Sequence, residues 1–407
     1  MTREEFQPHR GQALPATSAP AAAGTAAMPY PKVILAGICA LIATVGMARF
    51  AYTPLLPAMR SQAGLSVLDG GLLATWNYCG YLCGTLIASW VHELHVKARL
   101  YRAALVLACL TTLGMGLTRD VTLWGVLRFL SGMSSTAGLL LASGLILNWL
   151  IETRRPPVLG LHFAGMGIGI VATGLGVRLT QDWLGWDAQW KLFGVLSLFL
   201  IVPAWRWMPE PRRPAGAARA APAGRTSLWL WLLNGAYCCA GVGYVVLATF
   251  IVDIAAQLPV FGGSATLVWV AVGLAAIPSA FVWDRIAMLW GSIVALMLAF
   301  GLQILSIGLL MTGSAAASLI AALCYGGTFV GIVNLTLSLA GRLAPGNPAR
   351  AMARMTIGYS LAQIVTPALA GYLAEGSTSY GAILPPAAAA MAVGVALLAA
   401  ILLLRRG

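Results

Sequence analysis

The sequence has few charged residues. Only 9% of its 407 residues are Asp, Glu, Lys or Arg, whereas hydrophobic residues make up 59%. About a quarter of the residues in a soluble domain are charged, because its surface must be covered by groups that interact well with water. The composition therefore excludes an ordinary soluble domain and predicts an integral membrane protein.

The motifs of several function classes are also missing. There is no G-x-x-x-x-G-K-[ST] loop to cradle the phosphates of ATP, and no H-E-x-x-H zinc motif. We find no plausible Ser/His/Asp set and no paired buried carboxylates for catalysis. The seven cysteines all fall in apolar stretches, and none is placed for a metal site or an extracellular disulfide. The sequence therefore predicts neither an enzyme nor an ATP-driven pump, and we expect no metal or cofactor.

Long apolar runs occupy most of the chain. They are about 20 to 28 residues long, enough to cross the ~30 Å hydrocarbon core of a bilayer as helices. The strands of a membrane barrel would be shorter and would alternate in polarity. Read from turn to turn, the predicted spans are 33–58, 66–91, 99–118, 121–149, 157–180, 187–208, 227–253, 264–283, 289–311, 315–342, 350–373 and 381–404. The predicted fold class is all-α, with twelve transmembrane helices.

The basic residues indicate the orientation of these helices. An even number of spans puts both termini on one side, and we assign that side to the cytoplasm because Lys and Arg favour cytoplasmic loops. The outer segments then contain only Arg60, Arg119, Arg178 and Lys191 of the 25 basic residues. The net charge of +13 is thus explained by topology, without nucleic acid as a partner. We expect a multi-pass protein of the bacterial inner membrane.

One polar segment divides the spans into two sets of six. The stretch 209–226 is rich in Pro and Arg and has no apolar period, which is typical of a linker. We predict a disordered cytoplasmic tail at 1–30, a six-helix half at 31–208, the linker, and a second six-helix half at 227–407. Two such halves are the layout of many secondary carriers, in which the substrate site lies near the midplane between repeats.

Several stretches resemble one group of bacterial carriers. "GMARFAYTPLLPAM", which begins at Gly46, and "GLLATWNYCGYLCGTL", which begins at Gly71, resemble the signature of the YbfB/YjiJ-type subgroup of the major facilitator superfamily. "HFAGMGIGI" in span 5 and "AQIVTPALAGYL" in span 11 fit the same pattern, although Thr366 stands where Gly commonly precedes the Pro. The resemblance covers nearly the whole chain. It implies a twelve-helix carrier fold with no specified substrate.

Two further motifs resemble those of the superfamily at large. Arg128 and Gly132 in "LRFLSGMSSTAG" match its fourth-helix motif, R-x-x-x-G followed by small residues. The pair Asp284–Arg285 resembles part of its loop signature, which gates the inward face through charge pairs. This copy is degraded, and the copy in the first half keeps only Lys97 and Arg99. The resemblance implies a gating role for Asp284 and Arg285.

Two arginines lie inside predicted spans. A charge at the centre of a span costs about 2.5–3.5 kcal/mol on insertion scales, so such a residue faces a wet cavity or a partner. Arg49 and Arg128 lie about eight and seven residues from the outer ends of their spans, which predicts a similar depth for both. All twelve acidic residues fall in tails, loops or the last turn of a span. A guanidinium group suits carboxylate or phosphate, so we predict an anion site at Arg49 and possible substrate contact by Arg128.

Other interpretations of these arginines stay open. Arg128 belongs to a motif shared by carriers of many substrates, where it holds neighbouring helices or influences proton transfer. Arg49 could instead donate to backbone carbonyls freed by Pro54 and Pro57.

The remaining candidates are neutral polar groups in other spans. His162 is a candidate for carrying a coupling proton, and a structural histidine is the alternative. Asn77 could contact substrate or bond between helices. The predicted substrate site comprises Arg49, Tyr52, Asn77, Tyr81, Arg128, Tyr244, Asn334, Tyr359 and Gln363.

The function predicted from these residues is secondary active transport by alternating access. The substrate would be a small organic anion of the carboxylate type, and we expect the protein to be monomeric. The alternative within transport is proton-coupled efflux of amphipathic or drug-like compounds, which usually needs a carboxylate within the membrane. A membrane-embedded enzyme lacks its motifs here, and a sensor or scaffold would be expected to carry an appended soluble domain.

Overall fold

The chain folds into long helices joined by short connections. The computed structural model describes residues 28–91, 93–155, 159–210, 228–261, 263–343, 348–375 and 380–404. Twelve long helices lie within these ranges. In chain order they are α1 (Tyr30–Ala63), α2 (Val67–Trp90), α3 (Leu94–Met115), α4 (Val121–Glu152), α5 (Gly160–Thr180), α6 (Trp186–Arg206), α7 (Leu228–Ala256), α8 (Thr266–Trp290), α9 (Ser292–Leu310), α10 (Ala315–Leu343), α11 (Pro348–Glu375) and α12 (Leu384–Leu404).

Each predicted span corresponds to one helix, with differences at the ends. Span 8 was predicted to end at 283, but α8 continues to Trp290. Within the described residues, 11 helices are long and apolar enough to cross a membrane. The helix outside that set is α2, whose 24 residues are long enough but include Asn77 and several Trp and Tyr residues that lower its mean hydropathy. The all-helical architecture therefore agrees with the sequence.

The two sets of six helices pack against each other. We call α1–α6 the first half and α7–α12 the second half. The contacts between them are made mainly by α5 with α8, by α2 with α11, and by α1 with α7. Gly167 of α5 lies against Gly273 and Ile277 of α8, because small residues allow two helix backbones to approach closely. The predicted tail at 1–30 and linker at 209–226 lie almost entirely outside the described residues.

Two helices contain a π-helical segment. Ile42–Phe50 interrupts α1, and Ala137–Ala142 interrupts α4. In the first of these segments the amide of Ala51 bonds to the carbonyl of Gly46 at 2.9 Å, five residues back. A π segment changes which carbonyls are satisfied within the helix, and such segments are frequent at functional sites. Arg49 lies in the first π segment.

Helices α2 and α4 are in direct backbone contact. A Cβ atom added to Gly132 of α4 would lie 1.8 Å from the carbonyl oxygen of Asn77, and one added to Gly80 of α2 would lie 1.8 Å from that of Phe129. These distances are shorter than any non-bonded contact. The reciprocal glycines fix the distance between the two helices that carry Arg128 and the residues around Arg49.

We expect Gly132→Ala to destabilise the protein. The added methyl group would force α2 and α4 apart, and overpacking of this kind costs about 1–3 kcal/mol. Gly144→Ala is the matched control on the same helix, because a Cβ there meets nothing within 4 Å. Thermal unfolding of the purified variants in detergent measures the difference. An unfolding temperature of Gly132→Ala equal to that of Gly144→Ala would contradict the packing.

Candidate functional site

Arg49 is buried between helices of the first half. Its residue is 6% exposed, and its Nε atom has no hydrogen-bond partner. Within the described residues it forms no ion pair. Its charge is therefore not neutralised by any described carboxylate.

Aromatic rings surround the Arg49 guanidinium instead. Its Cζ atom lies 4.7 Å from the ring centre of Tyr78 and 4.6 Å from that of Tyr81, both on α2. Phe50 is a third neighbour at 5.7 Å. A cation over an aromatic face gains about 0.5–2 kcal/mol, which stabilises the guanidinium, while its Nε–H donor stays unpaired.

Arg128 makes different contacts. Its residue is 2% exposed, and its Nη1 atom donates to the carbonyl oxygens of Ala48 at 3.1 Å and Arg49 at 3.3 Å. Nη2 also donates to the Arg49 carbonyl, at 3.4 Å. The guanidinium lies 4.4 Å from the ring centre of Tyr52. Arg128 thus satisfies carbonyls of the π segment, a role the sequence analysis offered as the alternative for Arg49.

Short polar side chains complete the support of the π segment. Ser131 donates to the Ala48 carbonyl at 2.6 Å. Asn77 of α2 donates to the Arg128 carbonyl at 2.9 Å and to Ser131 Oγ at 3.3 Å. The Tyr52 hydroxyl donates to the Gly70 carbonyl at 2.8 Å. Arg128, Asn77 and Tyr52 therefore hold α1, α2 and α4 together and fix the position of Arg49.

Aromatic contacts continue from Arg49 into the second half. The ring centre of Tyr78 lies 6.5 Å from that of Tyr244 on α7, with the two planes nearly perpendicular. Tyr244 is 5.9 Å from Tyr359 on α11, which stacks on Tyr237 at 4.2 Å. Tyr244 also lies 6.2 Å from Tyr325 and 5.6 Å from Phe329, both on α10. We call the seven residues Tyr78, Tyr81, Tyr237, Tyr244, Tyr325, Phe329 and Tyr359 the aromatic cluster.

Unpaired polar atoms lie close to this cluster along the chain. Gln363 follows Tyr359 by one turn of α11 and is 2% exposed, and its Oε1 atom has no hydrogen-bond partner. The Ser360 hydroxyl and Asn234 Oδ1 are also buried without a partner. Asn234 precedes Tyr237 by three residues on α7. Buried polar groups are normally paired, so these atoms are candidates for contact with a polar ligand.

His162 lies elsewhere in the first half. It is fully buried, and its Nε2 atom is 3.0 Å from the hydroxyl of Ser143. The Ser143 hydroxyl also donates to the Leu139 carbonyl, so it accepts from Nε2–H. Nδ1 faces the backbone at Gly37, 12 residues before Arg49 on α1. The structure places His162 in a helix contact, away from Arg49 and the aromatic cluster.

The predicted gating pair and Asn334 also lie outside the cluster. Asn334 of α10 donates to Asp284 of α8 at 2.8 Å. Arg285 is exposed, and Arg342 of α10 donates to Ser292 at 2.9 Å. These bonds connect helices within the second half. Asn334 therefore lies beside Asp284 rather than beside Arg49.

Polar contacts between described residues join the two halves. Arg60 of α1 forms a salt bridge with Asp253 of α7, whose carboxylate side chain is only 4% exposed. Thr53 donates to the Ala248 carbonyl. The other two bonds run from Thr75 to the Ile364 carbonyl and from Gln181 to the Gly263 carbonyl. Arg60 and Asp253 lie in the last turns of α1 and α7, and Gln181 and Gly263 lie in the connections that follow α5 and precede α8. All four are therefore on the side of the helix bundle opposite the chain termini.

The sequence predicts only part of the site formed by Arg49 and the aromatic cluster. It proposed Arg49, Tyr81, Tyr244 and Tyr359, which the structure brings together. It did not include Tyr78, Tyr237, Tyr325 or Phe329 in the site. Tyr78 and Tyr81 flank one turn of α2, and Tyr237 and Tyr244 are seven residues apart on α7, so a shared helix face was the available signal.

A cavity lies beside the N-terminal turns of α3, away from Arg49. Its volume is about 260 Å³, and it is lined by His95, Ala98, Arg99, Arg102 and Glu210. Arg102 donates to Glu210 at 2.8 Å, and this bond lowers the pKa of the Glu210 carboxyl. The carboxylate partly neutralises the basic residues, so this cavity is a poorer anion site than the surroundings of Arg49.

A family model matches most of the chain. The model described as "Uncharacterised MFS-type transporter YbfB" covers residues 41–401. This range includes every helix that contributes to the aromatic cluster.

Two curated proteins are similar to parts of the chain. The cis,cis-muconate transport protein of Acinetobacter baylyi is 25% identical over 160 residues, which is 38% of this chain and 38% of that protein. The gallate transporter of Pseudomonas putida is 27% identical over 194 residues, which is 47% of this chain and 42% of that protein. The matches thus span about two fifths of the length of these relatives.

Solved transporter structures share the fold. The nucleoside transporter NupG aligns with a TM-score of 0.69 at 13% identity, over 92% of this chain and 99% of that one. The human organic anion transporter MFSD10 aligns with a TM-score of 0.65 at 16% identity, over 91% of this chain and 99% of that one. At this level of identity the likeness concerns the fold alone.

Proposed function

Because the chain belongs to the YbfB family of MFS-type transporters, we propose that it is a secondary active transporter of small organic anions of the carboxylate type. Family membership makes it a multi-pass membrane transporter and not an enzyme, as the sequence predicted.

The observation that carries the proposal is the environment of Arg49. Its guanidinium is buried against Tyr78 and Tyr81 of the first half, and Tyr78 in turn contacts Tyr244 of the second half. One donor is unpaired, and no described carboxylate is its counter-ion. A carboxylate substrate would supply the missing negative charge in a planar geometry that suits the guanidinium fork. Cis,cis-muconate and gallate, named for the two curated relatives, are both carboxylates, which supports the same class.

The proposed binding site includes Arg49, Tyr81, Tyr244, Tyr359 and Gln363. Arg128, Asn77 and Tyr52 act through Arg49, because their polar groups already donate to backbone carbonyls of α1, α4 and α2, respectively, and so hold these helices in place around it. Asn334 is assigned no direct contact with substrate, because it donates to Asp284. For His162, the predicted carrier of a coupling proton, we favour the structural alternative, because its Nε2 atom bonds to Ser143 within the first half. Asp284 and Arg285, which lie toward the C-terminal end of α8, remain proposed gating residues.

Movement of the substrate would follow alternating access. The Arg60–Asp253 salt bridge and the Gln181–Gly263 bond join the halves on the side of the helix bundle opposite the chain termini. They would keep that side closed while the other side opens. Substrate binding at Arg49 would neutralise a buried charge between the halves and favour the occluded state.

We further propose the topology that the sequence indicated. Twelve helices would cross the bacterial inner membrane with both termini in the cytoplasm, because the basic residues concentrate in the connections on that side. The halves would correspond to 31–208 and 227–407, and the protein would act as a monomer. Arg60 and Asp253 would then lie at the outer face.

The second candidate function is proton-coupled efflux of amphipathic compounds. The observation that favours it is Asp253, a buried carboxylate that the sequence analysis placed at the last residue of a span. It lies three residues before the end of α7 and is paired with Arg60. A protonatable group in this position suits the control of a gate. It is less suited to recognising a lipophilic cation bound in the site around Arg49.

A ligand panel would test the substrate class. The purified protein is heated with organic anions, cations and neutral compounds, and its unfolding temperature is measured. A ligand that binds only the folded state raises this temperature by mass action, and we expect carboxylates to do so. Stabilisation by lipophilic cations, without any carboxylate effect, would contradict the proposal and favour efflux.

A further inference from the structure

The aromatic cluster restricts what can lie beside Arg49. Four helices contribute to it: α2 from the first half and α7, α10 and α11 from the second. Apart from the half-buried Tyr81, its residues are buried. Among the described residues, no member of the cluster takes part in an ion pair. The surroundings of the guanidinium are therefore flat, apolar faces with phenolic edges.

Tyr244 occupies the middle of this arrangement. It makes ring contacts with Tyr78, Tyr325, Phe329 and Tyr359 at centre-to-centre distances between 5.6 and 6.5 Å. The plane of its ring is tilted or perpendicular to the planes of its neighbours. The rings therefore present both their faces and their edges. Aromatic rings associate favourably in offset or edge-on geometries of this kind.

The charge and the rings lie next to each other. Tyr78 contacts the Arg49 guanidinium at 4.7 Å and Tyr244 at 6.5 Å, so it links the cationic group to the cluster. A bound molecule whose carboxylate meets Arg49 would therefore place its body against Tyr78, Tyr244 and Tyr359.

Resting on the proposed function, we propose that the substrate class is planar conjugated carboxylates, above all carboxylates carried on an aromatic ring. The carboxylate pairs with Arg49, and the ring stacks within the aromatic cluster with Tyr244 as the central contact. A saturated ring of the same size keeps the charge and the hydrophobic surface but loses the flat face.

Benzoate and cyclohexanecarboxylate make the comparison direct. Both are monocarboxylates with a six-membered carbon ring, and the saturated ring is the more hydrophobic of the two. A preference for benzoate therefore cannot come from the hydrophobic effect alone. Isothermal titration calorimetry on the full-length protein in nanodiscs gives both dissociation constants.

We expect benzoate to bind about fivefold more tightly than cyclohexanecarboxylate. Tyr244→Phe keeps the ring and should keep this ratio, whereas Tyr244→Leu should bring the ratio close to one. Tyr372→Leu is the matched control, because Tyr372 is also on α11 with Tyr359 but is 67% exposed on the outside of the protein. It should leave the ratio unchanged.

Two results would overturn the inference while the proposed function stands. One is equal or tighter binding of cyclohexanecarboxylate to the wild type, with the affinity for both anions lost in Arg49→Gln. The other is a benzoate preference that persists in Tyr244→Leu. If no carboxylate in a panel that includes aliphatic acids binds in an Arg49-dependent way, the proposed function and the inference both fail.

Discussion

Arg49→Gln is expected to lose most of the transport of organic anions into liposomes. A hydrogen bond to a charged group contributes about 1.5–3 kcal/mol, which corresponds to roughly 10- to 150-fold in affinity. Arg49→Lys keeps the charge but not the planar fork, so we expect an intermediate loss. Uptake of a labelled carboxylate into proteoliposomes, measured over a range of concentrations, separates a change in affinity from a change in maximal rate.

Two further variants separate binding from folding. Arg178→Gln is the matched control, because Arg178 is a partly exposed residue at the end of α5 that pairs only loosely with Asp182, at 3.6 Å. It should transport like the wild type. Arg128→Gln should lower the unfolding temperature without ligand, because three hydrogen bonds to the π segment are removed. Wild-type affinity in Arg49→Gln would contradict the assignment of Arg49 as a ligand.

Asp253→Asn is expected to loosen the contact between the halves on the side of the helix bundle opposite the chain termini. Breaking a buried pair leaves an uncompensated charge, but the Arg60 side chain is 27% exposed and solvent screens part of the loss. We therefore expect a change of about 1–2 kcal/mol, or roughly 5- to 30-fold in the population of the open form. The distance between labels at Trp183 and Val260, two exposed positions in different halves, reports the opening.

The design includes a control and a rescue. Asp187→Asn removes a carboxylate from a pair that lies within α6 and should leave the distance distribution unchanged. Exchanging the charges in an Arg60→Asp, Asp253→Arg double variant should restore the short distance. If Asp253→Asn gives the same distance distribution as the wild type, the salt bridge does not hold this side closed.

The sequence located the helices because membrane spans are a local property. Each needs about 20 apolar residues in one run, and such runs are visible without any knowledge of packing. The structure places a helix at each predicted span, although α2 is more polar than the rest. Arg49 and Arg128 were also predictable as special residues, because a charge in a span is costly wherever it lies. Their predicted similar depth agrees with the bonds from Arg128 to the Arg49 carbonyl.

The division of roles among the polar residues could not be predicted from the sequence. In the sequence, Arg128, Asn77 and Tyr52 are candidates for substrate contact in the same way as Arg49, since each is a polar side chain in a span. Only the packing of α1, α2 and α4 shows that their donors go to backbone carbonyls. The carbonyls of Ala48 and Arg49 in the π segment accept from Arg128 and Ser131 of α4, which are tertiary contacts that no local pattern reveals.

The sequence by itself determined an all-helical membrane carrier with two arginines at similar depth and no carboxylate near the centre of a span. Hydrophobicity and the cost of buried charge act residue by residue, and they left those marks in the order of amino acids. Only the tertiary structure decided that Arg49 faces Tyr78, Tyr81 and, through them, the tyrosines of the second half. Residues as far apart in the chain as Tyr78 and Tyr244 meet there because helices pack side by side, and the spacing along one helix carries no information about its neighbours.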